Sequence, residues 1–222
     1  MIAEVLRRIE APGHFFVEFG VETGVEGNCV RLAAEGWSGL FIEADDTAFA
    51  GLQQRYAANT QVTTAHARVL PETVELIFHE HGVPAEPDVL SIDVDGNDFW
   101  IWQALASFRP RLLIIEYNAS LGPDRVLAQP YLPDFRWDGS DFFGASIAAL
   151  RALGAEKGYV NVHNESVGVN AFFVRSDLAG DLTPAEPVPT PRPSYGPTGE
   201  GHPPDPLKRP YVNPWEATGA GH

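Results

Sequence analysis

The feature that most constrains this chain is a regular alternation of continuous apolar runs with helical patterns, sustained to about residue 175. Runs such as Leu112-Leu113-Ile114-Ile115 hold no polar position, so a strand built from them is buried on both faces. Helices covering a parallel sheet from both sides create that environment. The runs predict strands near 15–19, 39–43, 61–66, 88–93, 111–117, 159–163 and 169–174. Helical patterns fall between most of them, near 2–10, 28–36, 46–58, 71–81, 97–107 and 143–157. Only the short polar stretch from Asn164 to Gly168 joins the last two strands. It has no room for a crossover helix, so the final strand is expected to run antiparallel. The expected fold class is α/β: a doubly wound, seven-stranded, mostly parallel sheet with an antiparallel last strand.

The first strand, Phe15-Phe16-Val17, runs into Glu18-Phe19-Gly20 and a turn carrying Gly20, Gly24 and Gly27 ahead of a helix beginning near Cys29. A strand, a glycine-rich turn and a helix in that order let backbone approach a ligand closely, as nucleotide-type cofactors require. The turn carries Glu18, Glu22 and Glu26 and lacks the Lys-Ser/Thr pair of a phosphate-binding loop. Carboxylates repel a pyrophosphate but suit an amine, a sulfonium or ribose hydroxyls, which points to S-adenosylmethionine. A second acid stands where that cofactor's ribose is expected. Glu43 ends the second strand, 23 positions after Gly20, and acids at that distance commonly bind ribose hydroxyls. Asp45 or Asp46 then caps the following helix, where a carboxylate favours the positive dipole end.

Composition bounds the alternatives. A formal charge of −15 over 222 residues argues against nucleic acid or an anionic membrane as partner. No stretch approaches the length of a membrane span, and the N-terminus lacks a leader's apolar region, so the cytoplasm is the expected location. Cys29 is the only cysteine, which excludes an intrachain disulfide or a cysteine metal cluster. Its place at a helix start can lower a thiol pKa, although a small buried residue beside the loop is the plainer reading. The chain divides into a domain over 1–176 and a tail over 177–222. That tail holds eleven of the nineteen prolines and six glycines, a composition expected to be extended or disordered. Tyr195, Tyr211 and Trp215 are its exceptions, able to anchor it to the domain or to a second copy of the chain in a homodimer.

The ends of the fourth and fifth strands are acidic: Ser91-Ile92-Asp93-Val94-Asp95-Gly96-Asn97-Asp98 and Glu116-Tyr117-Asn118. In a parallel sheet these ends are adjacent and face the cofactor's reactive end. Oxygens of Asp93, Glu116 and Asn118 can hold a hard divalent ion such as Mg²⁺, which would lower the pKa of a substrate hydroxyl. Two plainer roles compete: one of the acids, such as Asp93, contacts the cofactor, and Asp98 caps the next helix. Without a metal, Asp95 or Glu116 is the natural general base. The long connection from Asn118 to about Phe143 is expected to act as a lid over a small-molecule acceptor. Trp137, Asp138, Asp141 and Phe142 are its candidate substrate-binding residues. None of the histidines is assigned to the chemistry. His163, at the end of the sixth strand, is the nearest to qualifying.

These segments resemble a known family. Phe-Val-Glu-Phe-Gly (16–20), Glu-Gly-Asn (26–28) and Gly-Trp-Ser-Gly-Leu-Phe-Ile-Glu (36–43) look like the FkbM-like class I S-adenosylmethionine-dependent methyltransferases. So do 88–98, 109–118, 137–146 and 168–175, and together the matches span residues 15 to 175. The resemblance implies a Rossmann-like fold and methyl transfer, usually to a hydroxyl of a natural-product or sugar-type acceptor. It also implies Mg²⁺ at the positions of Asp93 and Glu116. The cofactor-binding set it implies is Glu18 (through the amino group), Gly20, Glu22, Gly24, Asn28, Glu43 and Asp93. Glu22 departs from the pattern, because it stands where the middle glycine of Gly-x-Gly-x-Gly is expected. A cofactor-binding partner protein without its own chemistry is the alternative, as is an enzyme using the cofactor for a non-methylating reaction.

Overall fold

The structure is a computed structural model that describes residues 1–186 and 201–217. Seven strands form one sheet: β1 (Phe15–Phe19), β2 (Ser38–Glu43), β3 (Val62–His66), β4 (Val89–Ile92), β5 (Leu112–Glu116), β6 (Tyr159–Asn164) and β7 (Asn170–Arg175). Their order across the sheet is β3-β2-β1-β4-β5-β7-β6. All neighbours pair in parallel except β7, which runs antiparallel to both β5 and β6. The helices are α1 (Ile2–Ile9), α2 (Val30–Ala34), α3 (Asp46–Tyr56), α4 (Val74–Glu80), α5 (Asp98–Ala104), α6 (Ile147–Lys157) and the short α7 (Pro214–Ala217). The α/β, doubly wound, mostly parallel sheet with an antiparallel last strand is thus the fold of this chain.

The apolar runs do what their lack of polar positions requires. Side chains of each strand alternate between two cores, one on either face of the sheet. Val17, Leu40, Leu90 and Leu113 join the face covered by α4, α5 and α6. Phe16, Phe41, Val89 and Ile114 join the face covered by α1, α2 and α3.

Helix boundaries are tighter than the periodicity predicts, and side chains placed by the tertiary fold set several of them. Asp45 caps α3, accepting the backbone N–H of Thr47 and Ala48 at 2.9 Å each. Ser146 caps α6 by accepting from Ala149, and Gly158 ends it in the left-handed region at φ 78°. The helix expected over 28–36 shortens to α2 because the Glu18 carboxylate takes the N–H groups of Asn28 and Cys29. Likewise α5 stops at Ala104, and Glu75 accepts the N–H groups of Ala106 and Ser107 beyond it.

Strand order reverses between β1 and β4, which lead to opposite sides of the sheet. That switch point leaves a crevice at the carboxyl ends of the strands, where open α/β sheets bind ligands.

Candidate active site

A cavity of about 650 Å³ occupies this crevice. Its walls come from the loops after β1 (Gly20, Glu22, Thr23), β2 (Glu43 to Asp45), β3 (Ala67 to Leu70) and β4 (Asp93 to Asp95, Asn97). Phe135, Arg136 and Trp137 of the β5–α6 connection form the remaining side. Gly20, Glu22, Glu43, Asp93, Asp95 and Trp137, all expected in the site, therefore share one cavity.

The loop after β1 is pinned from two directions. At Gly20 the backbone is left-handed (φ 72°), and a Cβ there would overlap the carbonyl of Asp93. Only glycine lets β1 and β4 close on each other at this point. Glu22 adopts φ 51° although it is not glycine, a strained conformation that local bonding must hold. That bonding is visible: the Glu22 N–H donates to Glu43 Oε2 at 2.8 Å, while Glu43 Oε1 accepts from Ala44 and Asp45 at 2.8 Å each. Glu43 thus staples the loops after β1 and β2 together. A carboxylate has about four acceptor positions, so Oε2 keeps a lone pair for a ligand hydroxyl.

Glu18 and Asn28 lie beneath the loop. The Glu18 carboxylate is 3% exposed and is taken up by backbone, with Asn28 N at 2.7 Å and Cys29 N at 2.9 Å. The Asn28 amide donates to Ser91 Oγ at 3.0 Å. Gly24 packs on Leu52 and Tyr56 rather than on the cavity. All three shape the loop from below. Cys29 is fully buried, and burial, with the Glu18 charge adding, pushes its thiol well above the ordinary range.

At the ends of β4 and β5 the structure gathers Asp93, Asp98 and Glu116, with ligand atoms within 4.8 Å of one another. Asp98 begins α5, yet its carboxylate turns back to accept the N–H groups of Val94 and Gly96 at 2.9 Å each. Burial pushes Asp98 up to about 6 against those two bonds. Burial drives Asp93 and Glu116 well above the usual carboxylate range, and repulsion within the group adds to it. Glu116 Oε2 is buried without a hydrogen-bond partner. Three carboxylates this close, Asp98 buried and Asp93 and Glu116 half-buried, must share protons or hold a cation. An all-oxygen donor set with an orphaned buried oxygen fits a hard divalent ion.

Asn118 is not in that group. Its Oδ1 accepts Ser120 N at 3.0 Å, and its Nδ2 donates to the carbonyls of Asp141 (2.8 Å) and Phe143 (3.0 Å), so its place is in the lid. Asp95, the second non-glycine residue of the site in the left-handed region (φ 55°), faces the cavity. Burial raises its pKa, and the charges of Glu22 and Glu43 add to the effect.

The lid is a folded unit completed by the C-terminal segment. Arg209 pairs with Asp138 and Asp205 and lies 4.3 Å above the Phe142 ring. Tyr211 donates to the Asp141 carbonyl at 2.6 Å, and Ala128 and Val212 exchange backbone hydrogen bonds at 2.9 Å. Trp215 packs edge-on against Phe99 and donates to Glu156 at 2.6 Å. Asp138, Asp141 and Phe142 therefore serve this closure, and of the four expected substrate contacts only Trp137 reaches the cavity. Tyr195 lies outside the described residues. His163 sits on β6, an edge strand of the sheet.

Tyr211 and Trp215 anchor the C-terminal segment to the domain, as the sequence offered, whereas sequence reasoning missed Asp98 as a member of the acidic group, Arg68 and Arg136 in the cavity wall, and the Arg209 contacts. A third acid five residues after Asp93 was the available signal for the first. The others have no local signature.

No family model and no curated protein matches the chain. Among solved structures, the N-terminal domain of EvdMO1 in the presence of SAH and D-fucose is similar at a TM-score of 0.50, with 13% identity over 78% of this chain and 80% of that one. The CcbJ methyltransferase from Streptomyces caelestis gives a TM-score of 0.48, with 14% identity over 79% of this chain and 88% of that one. The first likeness shows the fold alone, a doubly wound, Rossmann-like α/β sheet. Among the described residues, no helix is long and apolar enough to cross a membrane.

Proposed function

We propose that this chain is an S-adenosylmethionine-dependent methyltransferase acting on a hydroxyl of a small sugar-type or natural-product acceptor. The observation that carries the reading is the acid-lined cavity at the switch point, with Glu43 stapled beneath the Gly20 turn and Asp95 at its far side. The FkbM-like motifs support it, as does a similar fold solved with SAH and D-fucose. The cofactor supplies a methyl group on a sulfonium, already a good leaving group. The protein's task is then to position the acceptor and remove its proton.

Glu43 holds the ribose hydroxyls through its remaining lone pair, and the Gly20 turn lies along the amino-acid portion. Glu22 and Glu43 give the cavity a negative field that favours a sulfonium and an ammonium group. Trp137 and Phe135 supply flat apolar faces for the acceptor. The acceptor's proton leaves toward Asp95. Asp93, Asp98 and Glu116 would hold Mg²⁺, which would supply Lewis acidity toward the acceptor oxygen.

Incubation with S-adenosylmethionine followed by mass analysis tests the reading. S-adenosylhomocysteine together with an acceptor heavier by one methyl group is expected. Binding without turnover, or decarboxylated cofactor, refutes methyl transfer. Titration calorimetry with Mg²⁺ in the presence of S-adenosylhomocysteine should show binding that Glu116→Gln abolishes.

A further inference from the structure

Directly across from Glu116, on the antiparallel strand β7, stands Asn170. The Tyr117 N–H donates to the Val169 carbonyl at 2.8 Å, so residues 117 and 169 are a hydrogen-bonded pair of the ladder. Glu116 and Asn170 are then the adjacent pair without ladder bonds. Side chains of such a pair share a face and come closest, with Cβ atoms about 4.5–5.5 Å apart. Asn170 is 9% exposed, and its amide is set from the hairpin side. Glu165 Oε2 accepts the Asn170 backbone N–H at 3.2 Å and its Nδ2 at 3.3 Å. A carboxylate takes only the NH₂ end of an amide, which leaves Oδ1 as the end free for β5. Among the described residues, neither Asn170 Oδ1 nor Glu116 Oε2 has a hydrogen-bond partner, and both atoms are buried.

Two acceptor oxygens side by side and out of water are costly twice, through lost hydration and through mutual repulsion. Neither can satisfy the other. We propose that Asn170 Oδ1 is a further ligand of the divalent ion held by Asp93, Asp98 and Glu116. The inference rests on that metal reading and is independent of methyl transfer. One cation between β5 and β7 satisfies both orphaned oxygens, and the same ion meets Asp93 and Asp98, whose oxygens lie within 4.8 Å of those of Glu116. A carbonyl-type oxygen is a good donor to a hard ion. It adds a ligand without adding a fourth charge to a group of three acids. Glu165 is the positioning residue: by holding Nδ2 it keeps Oδ1 turned to the ion, as hydrogen bonds behind metal ligands do.

The test uses the full chain and Mn²⁺, which takes the same oxygen donors and whose free form is counted by electron paramagnetic resonance. A chain of formal charge −15 attracts cations elsewhere too, so binding lost in Glu116→Gln defines the share belonging to this site. Asn170→Ala should weaken that share on the order of 10- to 100-fold. Asn170→Asp keeps an oxygen at the same position and should retain the binding that Asn170→Ala loses. Urea midpoints separate ligation from folding. Without metal, Asn170→Ala should stay close to the wild type, and the rise in midpoint that Mn²⁺ gives the wild type should shrink. Wild-type Mn²⁺ affinity in Asn170→Ala, with binding lost in Glu116→Gln, overturns the Asn170 assignment alone. Equal losses in Asn170→Ala and Asn170→Asp overturn it as well and assign the residue to folding. A wild type that binds no more Mn²⁺ than Glu116→Gln overturns the metal reading, and the Asn170 assignment with it.

Discussion

Glu43→Gln probes both the staple and the ligand site with one atom changed. The wild-type carboxylate accepts three backbone N–H groups at 2.8 Å each and is 8% exposed. Glutamine keeps one oxygen, which can still serve Ala44 and Asp45 as a neutral acceptor. Its amide nitrogen then faces the Glu22 N–H, donor against donor. The lost charge-assisted bond is worth ~1.5–3 kcal/mol, and the Glu22 loop loses the bond that holds its left-handed turn. We expect Glu43→Gln to lower stability by about 2 kcal/mol, read as a reduced urea midpoint with unchanged slope. The same substitution weakens acceptance from the ribose hydroxyls, so calorimetry should show S-adenosylmethionine affinity reduced about 10- to 150-fold. Glu43→Ala, which leaves all three donors to water at the cavity edge, should cost more on both counts. A Glu43→Gln protein with wild-type midpoint and wild-type affinity would refute both roles. Loss of affinity alone would leave the ligand role and remove the staple.

Further outcomes follow from other parts of the site. Gly20→Ala puts a Cβ into the Asp93 carbonyl on a left-handed backbone and should cost about 3 kcal/mol or more, whereas Glu22→Gly relieves strain and should stabilise by roughly 0.5–1 kcal/mol. Denaturant midpoints check both signs. Cys29, buried with its thiol pushed up, should be silent to a thiol reagent in the native protein and react stoichiometrically after unfolding; rapid native reaction would contradict its placement. The C-terminal clamp should respond to acid. Asp205 is held down at about 2, first by its hydrogen bond from Arg209, so its contribution is complete above the ordinary carboxylate value and is lost as pH falls through about 2. Hydrogen exchange over 201–217 should rise across that interval, and Arg209→Ala should give the same rise at neutral pH.

Much of the fold was legible because its cause is local. Leu112-Leu113-Ile114-Ile115 cannot be a half-solvated strand, and five residues between β6 and β7 cannot hold a crossover helix. A cap for α3 at Asp45 or Asp46 followed from position alone, and the structure selects Asp45. Site residues were legible where strand ends alone place them: Gly20, Glu43, Asp93 and Asp95 reach the cavity because parallel strands present their carboxyl ends together. The lid was legible in outline only. Asp138, Asp141 and Phe142 read as substrate contacts, yet Arg209 and Tyr211, about 70 positions further on, claim them. Asn118 reads as an oxygen ligand, yet its amide is consumed by the lid's own carbonyls.

What the sequence determined by itself is the layered sheet, its one antiparallel strand and the acidic character of the crevice. These follow from side-chain polarity at periods of two and 3.6 residues and from connection length. Tertiary structure decided which acids meet and what packs against the cavity wall at Trp137. Asp98 joins Asp93 and Glu116 because its carboxylate folds back onto the Val94 and Gly96 N–H groups, a choice among partners available only after β4 and β5 lie side by side. His202 reaches Trp137 only once the proline-rich segment has docked through Arg209, Tyr211 and Val212. Such contacts depend on backbone groups far apart along the chain becoming neighbours, which no short-range pattern of side chains encodes.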